Sequence, residues 1–157
     1  MYTTHKIAAM TLIMCAALCT MQYSVVPLLL CFLGDIWFIY DSKGYKVAIL
    51  LFSLGHYGYT LYFVGYSLYL SIICALIVLC TCTNKSQISM ALYAVLLLSV
   101  IYQIHIYHNN VLVQLGYTLF GVSDAVLLVR DFYWDFQYSH IVVLSTYFIA
   151  QFLLSCT

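Results

Sequence analysis

The stretch Val25-Val26-Pro27-Leu28-Leu29-Leu30-Cys31-Phe32-Leu33-Gly34-Asp35-Ile36-Trp37-Phe38-Ile39-Tyr40 is an apolar run with a single carboxyl group, Asp35, set five residues before its end. A second run repeats the arrangement: Leu115-Gly116-Tyr117-Thr118-Leu119-Phe120-Gly121-Val122-Ser123-Asp124-Ala125-Val126-Leu127-Leu128-Val129 holds Asp124, again five residues from its end. The chain contains no glutamate and only five acidic residues. An ionisable group at such depth in an apolar segment is costly unless it is paired or solvated in a cavity, so each aspartate is a candidate functional residue.

The rest of the composition agrees with what these two runs imply. Hydrophobic residues make up 66% of the 157, charged residues 6%, and the formal net charge is zero. Mean hydropathy is +1.03. Such a chain cannot cover itself with polar surface, and the reading is an all-α, polytopic transmembrane helix bundle of about seven spans. Polar punctuation divides it into apolar stretches at 7–21, 24–40, 47–65, 67–82, 88–107, 111–129 and 139–156, expected to form one membrane domain over residues 1–157. Consecutive spans place alternate loops on opposite faces. Lys6, Lys43, Lys46, Lys85 and Arg130 then all fall on one face, which the positive-inside rule makes cytoplasmic together with the N-terminus. Residues 1 to 20 also carry a weaker signal-peptide pattern, a lysine before a short apolar run, but no small-x-small cleavage site precedes a polar start, so an uncleaved first span is expected. The seven cysteines lie mostly in apolar runs without metal-ligand spacing and read as small packing residues. No metal and no cofactor is expected. The absence of a basic stripe gives no footprint for nucleic acid.

Spans two and six run in the same direction and bring Asp35 and Asp124 to a common depth, about 8 Å inside the cytoplasmic face at 1.5 Å per residue. His56 from span three enters about 13 Å below the same face, and Tyr147 from span seven reaches a similar depth. A polar pocket open to the cytoplasmic leaflet would need such a layer. The plain alternative for the aspartates is an interhelical hydrogen bond that locks the bundle. Asp41, Asp131 and Asp135 sit in expected loops and read as solvated; His105, His108 and His140 flank span ends and receive no catalytic role. Gly55, Gly58 and Gly65 read as positions of close helix packing.

Phe32-Leu33-Gly34-Asp35, the Gly44 turn, Leu54-Gly55-His56-Tyr57-Gly58-Tyr59, Phe120-Gly121-Val122-Ser123-Asp124 and Ser145-Thr146-Tyr147-Phe148-Ile149-Ala150-Gln151 together, in this order and spacing, resemble the YhhN-type lysoplasmalogenases. The resemblance covers nearly the whole chain. It implies a multi-pass membrane hydrolase that cleaves the vinyl ether bond of lysoplasmalogens to a fatty aldehyde and a glycerophospho-ethanolamine or glycerophospho-choline. Members are usually read as eight helices, and this chain begins near what looks like the second, with Lys6 at the position of a lysine that opens that helix; the first helix is expected to be absent.

The resemblance assigns Asp35 and Asp124 to the chemistry. Vinyl ether hydrolysis starts with protonation of the β-carbon, and two carboxyls in one apolar layer can share a proton, one as acid and the other as stabilising anion and base. Asp124 is expected to be the acid and Asp35 the base. His56 is expected to orient a carboxylate or meet the phosphate, Tyr59, Ser123, Tyr147 and Gln151 to donate hydrogen bonds to head group or water, and Lys6 to pair with the phosphate. The partners are then a lysophospholipid substrate and membrane lipid. Two other functions compete: a small transporter or proton-coupled channel, since paired carboxylates and a histidine also make relays, and an inactive relative that binds lipid. The transporter reading lacks an inverted repeat, and the only proline is Pro27.

Overall fold

The computed structural model describes residues 8, 10–12, 14, 15, 25–40, 45–83, 86–132 and 137–155. The residues described between 8 and 15 are helical and form part of α1; there follow α2 (Val25–Tyr40), α3 (Tyr45–Phe63), α4 (Leu68–Cys82), α5 (Ser86–Tyr107), α6 (Val111–Phe132) and α7 (Ser139–Ser155). No strand occurs among the described residues. A chain so poor in polar side chains satisfies its backbone within each segment, which the helix does without a partner. Pro27 stands in the first turn of α2, where a missing N–H breaks no helical hydrogen bond.

The ends of the helices are closed locally. Val64 N and Gly65 N both donate to the Thr60 carbonyl, at 2.9 and 3.0 Å, and Gly65 has φ +100°. Gly65 therefore serves the turn between α3 and α4 and not helix packing: nothing lies within 4 Å of where its Cβ would stand. Between α5 and α6, Asn110 Oδ1 accepts from Leu112 N at 2.9 Å and Gln114 Nε2 donates to the His108 carbonyl at 2.7 Å, so a polar tripeptide caps α6. At its other end α6 runs on to Phe132, and Arg130, expected in a loop, lies in its last turn, where a cation meets the exposed carbonyl ends favourably.

Five helices form a ring: α2 packs on α3, α3 on α5, α5 on α6, α6 on α7, and α7 returns to α2. The α2–α3 and α6–α7 pairs are the most extensive, whereas α2 and α7 meet sparsely. Helix α4 stands outside the ring against α3 and α5. It is tied there by Tyr57 Oη to Ser71 Oγ at 2.7 Å and Thr81 Oγ1 to Ser89 Oγ at 3.3 Å. The tight α2–α3 contact depends on Gly55, whose Cβ would come within 2.7 Å of Cys31 Sγ and 3.1 Å of the Pro27 carbonyl oxygen.

Leu28, Cys31, Tyr59, Leu96, Val100, Tyr117, Phe120 and Leu154 fill the interior. The outward faces are apolar too: Leu98, Val111 and Ile141 are 67%, 70% and 63% exposed. Water would not tolerate so much uncovered hydrocarbon, whereas lipid matches it. Gln87–Tyr107 and Val111–Arg130 are each long and apolar enough to cross a membrane.

Candidate active site

A cavity of about 430 Å³ opens inside the ring, lined from α2, α3, α5, α6 and α7. Its wall is aliphatic and aromatic except for Asp35, Tyr93, Ser123, Asp124, Arg130, His140 and Tyr147. The two aspartates that the apolar runs single out thus face one space, though they come from helices that do not pack on each other.

Each carboxylate is held by a tyrosine from a neighbouring helix. Tyr147 Oη, on α7, donates to Asp35 Oδ2 at 2.5 Å, and both residues are buried. Tyr93 Oη, on α5, donates to Asp124 Oδ2 at 2.5 Å. A phenol pointing at a carboxyl oxygen forms a hydrogen bond that is stronger where the carboxyl is ionised, worth about 1.5–3 kcal/mol in that case. Asp124 is the more accessible of the two carboxylates.

Behind Asp124 the chain of polar groups continues inward. His56 Nε2 lies 3.3 Å from Tyr93 Oη. With its own proton directed at Asp124, the phenol accepts from the imidazole, which fixes the Nε2–H tautomer and leaves Nδ1 as the basic nitrogen. His56 is fully buried, and its Nδ1 has no hydrogen-bond partner among the described residues. The imidazole is wedged by Phe120, edge-on at 4.5 Å, and Phe120 in turn meets Tyr147 at 5.3 Å. Phe120 is therefore the apolar bridge between the Asp124 half of the site and the Asp35 half.

The other sequence candidates fall in different places. Tyr59 donates to Gln151 Oε1 at 3.3 Å; both are fully buried, and neither lines the cavity. They form a polar contact deeper in the bundle, where Tyr59 packs edge-on against Tyr117. Ser123 reaches the cavity wall but commits its proton to the Val143 carbonyl at 3.1 Å, which pins α6 to α7. His56 also stands off the wall and acts on the site through Tyr93. Lys6 lies outside the described residues.

Three polar residues of the wall escaped the sequence reading. Tyr93 is one of 16 tyrosines and has no local mark. In the sequence Arg130 is marked only as a charge beside a span and His140 only as a polar residue at a span end. In the structure Arg130 Nη1 donates to His140 Nδ1 at 3.0 Å, on the same wall as Asp124. The signal that could have found them is the short separation from Asp124 along α6 and across the α6–α7 connection.

The arrangement can hold a long apolar chain against aliphatic walls, present two carboxyl groups to one reacting segment, and meet an anion with a guanidinium and an imidazole. Among models of protein families, that of the YhhN family matches residues 1–157. No curated protein and no solved structure matches the chain. The chain belongs to the YhhN family and is a membrane protein.

Proposed function

We propose that this YhhN-family protein is a multi-pass membrane hydrolase that cleaves the vinyl ether bond of lysoplasmalogens, with Asp35 and Asp124 as its acid/base pair. The observation that carries the reading is that these two carboxyl groups line one largely apolar cavity, each with a tyrosine hydroxyl directed at it. Family membership supports a lysoplasmalogenase-like activity at the level of the family.

Asp124 gives its proton to the β-carbon of the vinyl ether, and the remaining cation is an oxocarbenium ion shared by the α-carbon and the ether oxygen. Asp35, held by Tyr147, faces that cation as the anion. It then takes a proton from the water that adds to the α-carbon, giving a hemiacetal. Asp35 then passes that proton to the ether oxygen while Asp124 takes the hemiacetal hydroxyl proton, the carbon–oxygen bond breaks, and fatty aldehyde and the glycerophospho-alcohol leave with both carboxyl groups restored. General acid–base catalysis of this kind contributes about 10²–10⁴-fold. Asp124 is the more accessible of the two carboxyl groups, which supports its assignment as the acid, because the proton it gives must reach a carbon of the lipid in the cavity.

With the N-terminus in the cytoplasm, the threading of the spans puts the Arg130 end of the cavity at the cytoplasmic leaflet. The test is aldehyde release from a lysoplasmenyl-ethanolamine by purified protein in detergent, beside Asp35→Asn and Asp124→Asn, with a saturated ether lysolipid as control. Release by wild type alone, and from the vinyl ether alone, is the expected result. Folded wild type that releases none overturns the reading.

A further inference from the structure

We propose that Arg130 and His140 form a phosphate subsite that sets the register of the lysolipid in the cavity, an assignment that rests on the hydrolase reading for the identity of the lipid. The two side chains are joined by the Arg130 Nη1 to His140 Nδ1 hydrogen bond of 3.0 Å, and both line the cavity that holds Asp124. His140 accepts through Nδ1, so its remaining proton is on Nε2. The guanidinium and the Nε2–H are donors without acceptor capacity for a cation, which selects an anion; a guanidinium in particular matches the oxygens of a phosphate.

The spacing selects which phosphate. Arg130 follows Asp124 by six residues on the same helix, an axial distance of about 9 Å at 1.5 Å per residue. In a lysoplasmalogen the path from phosphorus to the carbon that takes the proton crosses the ester oxygen, three glycerol carbons, the ether oxygen and the α-carbon. Those seven bonds, at roughly 1.2 Å of reach each when extended, span about 8–9 Å. A phosphate seated at Arg130 and His140 therefore delivers the β-carbon to the level of Asp124. The hydrocarbon tail continues among Leu97, Ile101 and Phe52. His140 is exposed, so whatever alcohol is esterified to the phosphate points out of the cavity. The ethanolamine or choline is left outside the recognition, and an alkenyl chain on unphosphorylated glycerol loses its anchor.

The experiment measures binding of lipids that cannot be cleaved. Purified full-length protein in detergent is titrated with a saturated-ether lysophosphatidyl-ethanolamine, its choline counterpart and the matching 1-alkylglycerol, for wild type, Arg130→Gln, Arg130→Lys and His140→Asn. The expected result is a preference of wild type for both phospholipids over the alkylglycerol by roughly 10- to 100-fold, the value of a charged hydrogen bond. That preference falls to near unity in Arg130→Gln, is reduced in His140→Asn, and is partly restored in Arg130→Lys. An undiminished preference in Arg130→Gln overturns the proposal, as does competition by inorganic phosphate or glycerophosphate as effective as that of the lysolipid, which would mark a general anion site. Since no bond is broken, the hydrolase reading fails separately: preferential binding without aldehyde release overturns the reaction and keeps the subsite, whereas aldehyde release with the preference intact in Arg130→Gln does the reverse.

Discussion

The hydroxyl of Tyr147 donates to Asp35 Oδ2 at 2.5 Å across 112 positions of sequence, and in doing so joins α7 to α2. Removing that donor while keeping the ring isolates its contribution. Tyr147→Phe is expected to lower kcat for aldehyde release by about 10- to 100-fold with little change in KM, because the hydroxyl acts on the carboxylate and not on the lipid. Steady-state kinetics on a lysoplasmenyl-ethanolamine checks this; a rise in KM alone would place the hydroxyl on the substrate.

Tyr93 stands between His56 and Asp124, 3.3 Å from one and 2.5 Å from the other. Groups that act through a shared partner do not add. Tyr93→Phe and His56→Ala are each expected to slow the reaction, and the double variant to be no slower than the worse single one, a coupling of about 0.5–3 kcal/mol. Multiplicative losses in the double-mutant cycle would show that the two residues act independently.

Gly121 faces the cavity, and a Cβ there would meet Ile101 Cδ1 at 2.6 Å. The obstacle is the far end of a flexible side chain that itself lines the cavity, so the methyl is accommodated by turning Ile101. Gly121→Ala is expected to keep its melting temperature within a few degrees while shifting the preferred tail length, read from kcat/KM across a series of chain lengths. A collapse of stability would mean that Ile101 has nowhere to turn.

Gly55 presents the opposite case. Its Cβ would press on Cys31 Sγ at 2.7 Å and on the backbone oxygen of Pro27 at 3.1 Å, and backbone does not yield. Gly55→Ala is expected to destabilise the α2–α3 pair by about 1–3 kcal/mol. Thermal unfolding in detergent measures it, and Cys31→Ala in the same chain should recover part of the loss but not all.

The orientation is open to a chemical test through Cys82, an exposed free thiol at the end of α4. In the threading that gathers the basic residues on one face, this end of α4 is cytoplasmic. A membrane-impermeant maleimide is expected to label Cys82 in inverted vesicles and not in sealed right-side-out ones. Labelling from the outside would reverse the whole arrangement.

The helices were legible because apolar runs and polar breaks alternate along the chain, and Asp35 and Asp124 were legible because carboxyls are expensive in such runs. Their depth also pointed to Tyr147 and His56. What stayed hidden is lateral: inward and outward faces are both apolar here, so Leu98 and Leu97 read alike although one is 67% exposed and the other 5%. Without a polar face to orient each helix, nothing in the sequence turns Tyr93 inward or sends Tyr59 and Gln151 to a level away from the cavity. Arg130 and His140 were hidden for another reason. They sit where a span ends, and polar residues at such places are ordinary.

The five-helix ring closes where α2 and α7 meet, its sparsest junction, and the Tyr147 to Asp35 bond crosses that junction. Architecture and chemistry therefore share a fastening. In the hydrolase reading, any lesion that lets α2 and α7 part releases one of the two acid/base carboxyl groups at the same moment, so failure is expected to begin as lost turnover in a protein that is still helical and still in its membrane. Helical content would report such a variant as sound, and only turnover would reveal the damage.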